Sequence, residues 1–402
     1  MLASLQDILD TVKSNTLTYQ QKLMCLGNIA ERLFDPRELL GYTDEEWQFL
    51  QNQMICDLNE GYAIYRPRYI LPDYNVYIKK GCEFLELPAP KDLDEALDGL
   101  LILYSHVPSI TTFPVYIGRL DMLLDPFITD EEQDYIKIKR FLNHVDKTVP
   151  DSFCHANIGP YDTKAGRLIL KAVIELEAPT PNMTIRYDKS KTSREFAELA
   201  AKACLLVSKP SFANDAYYIS DLGEQYGIAS CYNALPECGG AYTLTRLRLG
   251  TIARACKTVD EMVNELLPRV AKCALSTMDK RHKFVVEESN FFNTSFLEKE
   301  GFIKRTNFTG MFAIVGLADA ANHLLQQEGL NETFGKSQRG DEIATLIMDK
   351  LKEVTDNHEG VYAERTGNRY LLHAQVGASN HEEDKRLSLI HISEPTRRTP
   401  IS

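Results

Sequence analysis

The sequence predicts a mixed α/β fold with a parallel sheet or barrel surrounded by helices. From residue 91 onward, short β-prone runs alternate with amphipathic helices, a rhythm that is typical of parallel sheets. The chain has 402 residues, of which 44% are hydrophobic and 25% are charged. This composition is ordinary for a globular protein, and the length is sufficient to bury a large core.

The first part of the chain, residues 1–60, is predicted to be helical. Apolar residues recur with the helical period in residues 5–12 and 43–57. Prolines then punctuate two short β-prone runs, residues 69–71 and 76–78. Because proline is confined to the ends and edges of sheets, both runs are predicted to be short strands.

Four helices and two strands stand out in the next part of the chain. The helices are predicted over residues 93–106, 129–145, 162–176 and 192–207, and the strands over residues 115–118 and 183–187. Two of these helices carry the spacing of a capping box, in which Thr129 precedes Glu132 and Thr192 precedes Glu195. That spacing predicts that the helices begin at these threonines.

The pattern continues beyond residue 250. Thr258 is predicted to begin a helix that is kinked at Pro268, because proline lacks the amide hydrogen that the helix needs. Apolar residues 311–315 predict a strand, which Gly316 separates from a helix over residues 317–327.

The charge balance excludes some classes of function. The net charge is −12 and the isoelectric point about 5.3. A nucleic-acid surface is therefore not expected, because phosphate binding needs clustered lysine and arginine. No apolar run approaches the roughly 18 residues of a membrane span, and residues 1–25 lack the pattern of a signal peptide. The sequence predicts a cytoplasmic protein that binds neither nucleic acid nor membrane.

The last residues, 387–402, do not fit the pattern that precedes them. They read LSLIHISEPTRRTPIS and resemble the translation of a sequencing-library adapter, although a natural disordered tail is the alternative. The native chain is therefore expected to stop near Arg386. Residues 61–386 are expected to form the barrel body, after the helical region 1–60.

Among nine cysteines, Cys231 is distinguished by its position. No two cysteines have C-x2-C spacing, so a zinc ribbon is not predicted and free thiols are expected. Cys231 ends the run YGIASC, which predicts a buried strand. Gly239 and Gly240 follow and allow the backbone to approach other groups closely.

Several roles are open to a thiol in this position. A nucleophile would need a histidine or cation nearby, and no histidine lies between His155 and His282. A metal ligand would need companions, of which only Cys238 is close in sequence. A buried core residue needs nothing, whereas hydrogen-atom transfer requires a dry, enclosed strand end.

The residues that frame Cys231 resemble those of glycyl radical enzymes. The runs PNMTIRYDK, PSFANDAYYI and YGIASC look like the sequence leading into the thiyl cysteine of that superfamily, which includes pyruvate formate-lyase, the radical diol dehydratases and the anaerobic ribonucleotide reductases. FTGMFAIVGLADAANHL and RPRYILPDY make the chain most similar to the YjjI family. The resemblance covers most of residues 60–385.

The resemblance implies a barrel of two antiparallel half-sheets surrounded by helices, with the thiyl cysteine, Cys231, on a loop inside it. This cysteine would abstract hydrogen from a small organic substrate. A second loop near the C-terminus would carry a glycyl radical, installed by a separate iron–sulfur activating enzyme that uses S-adenosylmethionine. The chain itself is expected to bind no cofactor or metal, and to be an oxygen-sensitive homodimer.

Three departures from the superfamily pattern bear on the reaction. Ser230 precedes Cys231, where pyruvate formate-lyase has two adjacent cysteines. Asn233 stands where the diol dehydratases carry a glutamate used for proton transfer, which an amide cannot perform. No Arg-x-x-Gly-aromatic motif occurs, and residues 365–367 are the nearest sequence. The expectation is a C-terminally truncated chain that cannot turn over.

Four residues are candidates for substrate binding: Asn233, Glu237, Cys238 and His155. Glu237 and Cys238 lie near enough in sequence to substitute for the missing glutamate, but either is equally compatible with a structural role. His155 would contact substrate at the barrel mouth or be a hydrogen-bonded structural histidine. Two alternative functions stay open: an anaerobic ribonucleotide reductase-like enzyme, and a non-catalytic binding or subunit protein on the same scaffold.

Overall fold

The structure is a computed structural model and describes residues 4–31, 33, 35–57, 64–109, 113–148, 153–229 and 233–374. The described helices are α1 (Leu5–Lys13), α2 (Tyr19–Glu31), α3 (Pro36–Leu40), α4 (Asp44–Gln51), α5 (Asn75–Lys80), α6 (Leu93–Tyr104), α7 (Leu120–Leu124), α8 (Glu131–Thr148), α9 (Lys164–Leu176), α10 (Arg194–Val207), α11 (Asp215–Leu222), α12 (Leu249–Arg254), α13 (Leu267–Lys283), α14 (Phe291–Thr294), α15 (Phe296–Lys299), α16 (Leu317–Gln327) and α17 (Gln338–Asp356). The described strands are β1 (Ile55–Asp57), β2 (Tyr69–Leu71), β3 (Tyr116–Arg119), β4 (His155–Ile158), β5 (Asn182–Tyr187), β6 (Ser211–Asn214), β7 (Tyr226–Ala229), β8 (Asn233–Pro236), β9 (Gly239–Arg248), β10 (Phe308–Val315) and β11 (Leu371–Ala374). None of the described helices is both long enough and apolar enough to cross a membrane.

The chain divides into two compact units, each assembled from separate stretches of sequence. The described residues of Met1–Arg68, Ala241–Phe291 and Thr309–Pro395 form unit 1. The described residues of Tyr69–Gly240 and Phe292–Phe308 form unit 2. The domain boundaries predicted at residues 60 and 386 remain predictions, and the predicted non-native tail, 387–402, lies outside the described residues.

Unit 2 contains a parallel sheet with the strand order β3-β4-β5-β6. Each neighbouring pair in this sheet runs parallel, as the alternation of strands and helices predicted. All four residues of β4 are buried, as are the four central residues of β5. Helices α9 and α10 make the connections from β4 to β5 and from β5 to β6. The predicted parallel sheet is confirmed.

A second, two-stranded sheet in unit 2 frames the predicted thiyl cysteine. Strands β7 and β8 pair antiparallel, with Tyr226 opposite Pro236 and Ala229 opposite Asn233. Every residue of β7 is buried, as the run YGIASC predicted. Residues 230–232, which include Cys231, lie between these strands in the sequence and outside the described residues.

Unit 1 contains the strand order β1-β9-β10-β11. Strand β1 runs antiparallel to β9, and β10 runs parallel to β11. All residues of β10 are buried, which is typical of strands covered on both faces. Helices α12, α13, α16 and α17 supply most of the apolar core of this unit.

Two predicted elements differ in type from those in the structure. Residues 76–78, predicted as a strand, lie within helix α5. The Asp73 carboxylate accepts the Asn75 backbone N–H, which satisfies a donor at the helix start. The helix predicted over residues 43–57 ends with α4 at Gln51, and Ile55–Asp57 forms β1 instead. Here pairing with β9 prevails over the local helical period.

The caps of two helices were predicted one residue early. In α10 the Ser193 hydroxyl accepts the Phe196 N–H at 3.1 Å, whereas the Thr192 hydroxyl accepts the Asp188 N–H. At the start of α8 the Asp130 carboxylate fills the role assigned to Thr129. A helix cap requires a side-chain oxygen that accepts a backbone N–H of the first helical turn. Neighbouring residues of this sequence supply more than one such oxygen.

Gly240 occupies a position in unit 2 that leaves no room for a side chain. Its φ is +147°, and an added Cβ would lie 2.0 Å from the Tyr69 carbonyl oxygen. We therefore expect Gly240→Ala to lower the free energy of unfolding by at least about 2 kcal/mol, measured by urea denaturation. Gly329→Ala is the control, because Gly329 also has positive φ (+76°) but nothing within 4 Å. Equal costs in the two variants would contradict the steric explanation.

Candidate active site

Asn233 lies at one end of β8, Glu237 and Cys238 follow its other end, and His155 lies in β4. Asn233 is half-buried and opens β8, opposite Ala229, so it adjoins the segment that contains Cys231. Glu237 follows the other end of β8, where its N–H donates to the Gln225 carbonyl at 3.1 Å. Four residues of extended chain span about 13 Å. Asn233 and Glu237 therefore lie at opposite ends of β8, and the binding of substrate by either residue stays a prediction.

Glu237 is a buried carboxyl group that interacts with both negatively and positively charged side chains. It is 6% exposed, and its Oε1 accepts the Tyr116 hydroxyl at 3.1 Å. Burial, followed by repulsion from Asp73, raises the pKa of Glu237 to about 7, against the opposing effects of Arg119 and Arg186. Glu237 is thus able to exchange a proton near neutral pH.

The raised pKa of Glu237 predicts how stability depends on pH. In the folded protein this pKa is about 7, against 4.5 for an ordinary glutamate. Its contribution to stability is therefore complete below pH 4.5 and is lost as the pH rises through 7. Relative to wild type, Glu237→Gln should gain up to roughly 3 kcal/mol between pH 5 and pH 8 in urea denaturation. Glu332→Gln, at an exposed loop position, is the control; a parallel profile for both variants would contradict this assignment.

Cys238 is held by backbone contacts at the base of the hairpin. Its φ is +58°, and its thiol lies 3.7 Å from the Gly301 carbonyl oxygen. Its own carbonyl accepts the Lys304 N–H at 2.8 Å and the Asn307 amide at 3.2 Å. Burial raises the pKa of the Cys238 thiol to about 11, so it is uncharged at neutral pH. These contacts favour a structural role.

His155 is buried at the amino end of β4. It is 2% exposed, and its backbone N–H donates to the Val115 carbonyl at 3.0 Å. Burial, assisted by the nearby Lys209 cation, lowers the pKa of His155 to about 3. The imidazole is therefore neutral at physiological pH and a poor proton acceptor.

A buried ion pair that the sequence did not reveal supports β7. The Arg186 Nε donates to the Asp215 carboxylate at 2.7 Å, and the Tyr226 hydroxyl donates to the same oxygen at 2.8 Å. The Arg186 guanidinium also lies 3.8 Å from the centre of the Tyr226 ring. Asn214 caps α11, where its side-chain oxygen accepts the Tyr217 N–H at 3.2 Å.

One signal of this pair was present in the sequence. Arg186 is a lone arginine in the otherwise apolar and neutral strand NMTIRY, and its side chain is only 2% exposed. A charge at such a position requires a buried partner. The partner lies 29 residues further along the chain, and nothing local identifies it.

Within the described ranges, no three or more histidine, cysteine, aspartate or glutamate side chains are grouped so as to hold a metal ion.

Among solved structures, the fold is similar to that of anaerobic ribonucleotide reductases. The enzyme from Thermotoga maritima with citrate in the active site aligns with a TM-score of 0.70 at 11% identity, over 96% of this chain and 81% of that chain. A second anaerobic ribonucleotide reductase aligns with a TM-score of 0.67 at 10% identity, over 92% of this chain and 68% of that one. The predicted glycyl-radical-enzyme fold class is confirmed.

The family described as "Glycyl radical enzyme YjjI-like" matches residues 17–398. The chain belongs to this family. It is 92% identical over 391 residues to an uncharacterized protein of Haemophilus influenzae (strain ATCC 51907 / DSM 11121 / KW20 / Rd), covering 97% of this chain and 76% of the relative. It is 42% identical over 372 residues to the uncharacterized protein YjjI of Escherichia coli (strain K12), covering 92% of this chain and 71% of that protein.

Proposed function

We propose that Cys231 is the hydrogen-atom carrier of a glycyl radical enzyme that acts on a small organic substrate. The observation that carries this proposal is the position of Cys231 in the sequence, between two strands that pair with each other, in a chain of this family. The preceding strand, β7, is wholly buried. A dry site of this kind protects a radical from solvent and oxygen.

The proposed chemistry moves hydrogen atoms and no net charge. Cys231 gives its thiol hydrogen to a glycyl radical, which restores the glycine and leaves an unpaired electron on sulfur. The sulfur then takes a hydrogen atom from a substrate C–H bond, which restores the thiol and leaves a substrate radical. A thiol that acts in this way must keep its proton until the transfer.

The electrostatics of His155 argue against one form of ionic catalysis, a Cys–His pair. A nucleophilic cysteine needs a base or a cation that stabilises the thiolate. The pKa of His155 is about 3, so its imidazole neither holds a positive charge nor accepts a proton readily at pH 7. A Cys–His pair that involves His155 is therefore disfavoured.

Activation and assembly follow the pattern of the family in this proposal. A separate iron–sulfur enzyme that uses S-adenosylmethionine installs the glycyl radical in a cytoplasmic, oxygen-sensitive homodimer. Since the 402 residues contain no Arg-x-x-Gly-aromatic sequence, we propose that this chain by itself does not turn over. Size measurement by sedimentation tests the dimer, and a monomer at micromolar concentration would contradict it.

The radical itself can be tested without knowledge of the substrate. The protein, prepared at the full length of its 92%-identical relative, is treated anaerobically with the activating enzyme and S-adenosylmethionine. We expect an electron paramagnetic resonance doublet from a carbon radical that retains one α-hydrogen. In D2O, Cys231 would return deuterium to that carbon and collapse the doublet. Absence of any protein radical would refute the proposal.

Ribonucleotide reduction is the alternative raised by the fold likeness. The similar structures share only 10–11% identity with this chain, so the likeness is evidence for the fold and not for the substrate. Thermal denaturation with ribonucleoside triphosphates distinguishes the two. A concentration-dependent rise in melting temperature would favour nucleotide reduction, whereas no shift would favour another small substrate.

A further inference from the structure

Among the described residues, no third strand pairs with β7, so the edge of β7 that faces away from β8 is not covered by a strand. In an antiparallel pair, alternate residues direct both backbone polar groups toward the partner or away from it. Because Glu237 donates to the Gln225 carbonyl, residues 225, 227 and 229 face β8. Glu224, Tyr226 and Ile228 therefore direct their backbone groups to the opposite edge.

At that edge, side chains from the parallel sheet make the hydrogen bonds that a neighbouring strand would otherwise make. The Asn157 Nδ2 donates to the Ile228 carbonyl at 2.9 Å, and the Asn157 Oδ1 accepts the Ile228 N–H at 2.8 Å. One amide thus satisfies both backbone groups of one residue, as a paired strand would. Asn157 is fully buried in β4, so water cannot replace it readily.

Arg186 makes further hydrogen bonds to backbone carbonyls along the same edge. Its Nη1 donates to the Tyr226 carbonyl at 3.2 Å, and its Nη2 donates to the Glu224 carbonyl at 3.3 Å. Asp215 fixes the guanidinium from the other side through Nε. Asn157 and Arg186, here called the edge clamp, therefore hold β7 at Tyr226 and Ile228 and the residue Glu224 that precedes the strand.

We propose that Asn157 is a positioning residue for Cys231. Its contact at Ile228 is the last point of the edge clamp before Cys231, three residues further on. Loss of this contact leaves two backbone groups near the end of β7 unpartnered and buried, so the strand end from which the chain continues to Cys231 is held less firmly. Hydrogen-atom transfer is sensitive to such displacements, since the reacting atoms must approach closely. The catalytic consequence rests on the proposed function, whereas the structural role of the edge clamp does not.

The decisive variants differ in what the side chain at position 157 can donate and accept. Asn157→Leu fills a similar volume and makes neither hydrogen bond. Asn157→Asp makes both when protonated and loses the donated bond when ionised, so its behaviour should follow pH. Thr184→Val is the matched control. Thr184 is the register partner of Asn157 in β5 and is 1% exposed, and its hydroxyl has no hydrogen-bond partner among the described residues.

Two measurements on the chain test the edge clamp directly. We expect Asn157→Leu to accelerate hydrogen exchange of the Ile228 amide about tenfold, the factor that corresponds to one net hydrogen bond. Alkylation of Cys231 by iodoacetamide should accelerate as well. In Asn157→Asp both rates, relative to wild type at the same pH, should rise with pH. Thr184→Val should match wild type in both rates. The rate of alkylation of Cys204 should equal the wild-type rate in every variant. If Asn157→Leu fails to fold, the pH dependence of Asn157→Asp decides.

A third measurement links the edge clamp to hydrogen transfer. In the activated, full-length protein, the Asn157 variants should form as much glycyl radical as wild type but exchange its α-hydrogen with D2O at least about tenfold more slowly. Unchanged exchange, despite a loosened Ile228 amide, would overturn the positioning role. If Cys231→Ala leaves deuterium exchange intact, the proposed function fails, while the Ile228 and alkylation results still decide the edge clamp.

Discussion

Replacement of Cys231 with alanine is expected to leave the glycyl radical intact and to abolish both turnover and deuterium exchange. In the proposed mechanism the activating enzyme acts on a glycine of the full-length protein, so the yield of radical does not require the cysteine. Every later step passes through the sulfur of Cys231 in the proposed mechanism. Loss of a group of this kind typically costs at least about 1,000-fold in rate. The measurement is the collapse of the paramagnetic resonance doublet in D2O.

Cys204→Ala is the matched control for this experiment. Cys204 lies in α10 of the same unit, is half-buried and pairs with no other cysteine. We expect its replacement to preserve both the radical and the exchange. If Cys231→Ala retained wild-type exchange, the assignment of Cys231 would be wrong, and another thiol would have to carry the hydrogen.

Asp215→Ala is expected to lower the free energy of unfolding by about 3–5 kcal/mol, the usual cost of leaving a buried charge without its partner. The Arg186 and Asp215 side chains are 2% and 1% exposed. The substitution would strand the Arg186 guanidinium in a dry interior and deprive the Tyr226 hydroxyl of its acceptor. Urea denaturation at pH 7 measures the effect.

An exposed ion pair in the same unit provides the control for Asp215. Arg194 and Glu198 lie one helical turn apart in α10, with 86% and 63% of their side chains exposed. Glu198→Ala should cost less than about 0.5 kcal/mol, because solvent screens such pairs. A double replacement, Arg186→Met with Asp215→Leu, should cost less than Asp215→Ala alone. Equal costs for Asp215→Ala and Glu198→Ala would contradict a stabilising role for the buried pair.

Part of the parallel sheet of unit 2 was predictable because its signal is local. Strands β3 and β5 are short β-prone runs, and helices α9 and α10 have their own period, so the alternation identifies the class of fold. Strands β4 and β6, whose sequences are HANI and SFAN, were not predicted, because neither is an apolar run. The strand over residues 311–315 and the helix after Gly316 were predicted for the same reason and are confirmed. The helix predicted from Thr258 is divided in the structure into π-helical residues Glu261–Leu266 and α13, which begins at Leu267, and the kink at Pro268 stays a prediction.

The contacts that support the candidate site were not predictable, because they join distant parts of the chain. Asn157 lies 71 residues before Ile228, and both look like ordinary strand residues in the sequence. The separation of Asn233 from Glu237 depends on β8 being extended, whereas the two are only four residues apart in sequence. The framing sequences predict Cys231 as the thiyl residue, but no sequence pattern identifies the contacts that hold β7 before it.

The interleaving of the two units has a consequence for synthesis on the ribosome. Cys56 in β1 pairs with Arg246 in β9, which is 190 residues later. At the usual translation rate of about 5–20 residues per second, roughly 10–40 s pass between the synthesis of β1 and that of its partner β9. Most of unit 2 is complete by then, since its long segment ends at Gly240. The nascent chain therefore carries an unpaired strand through much of its translation, the situation in which chaperones protect against aggregation.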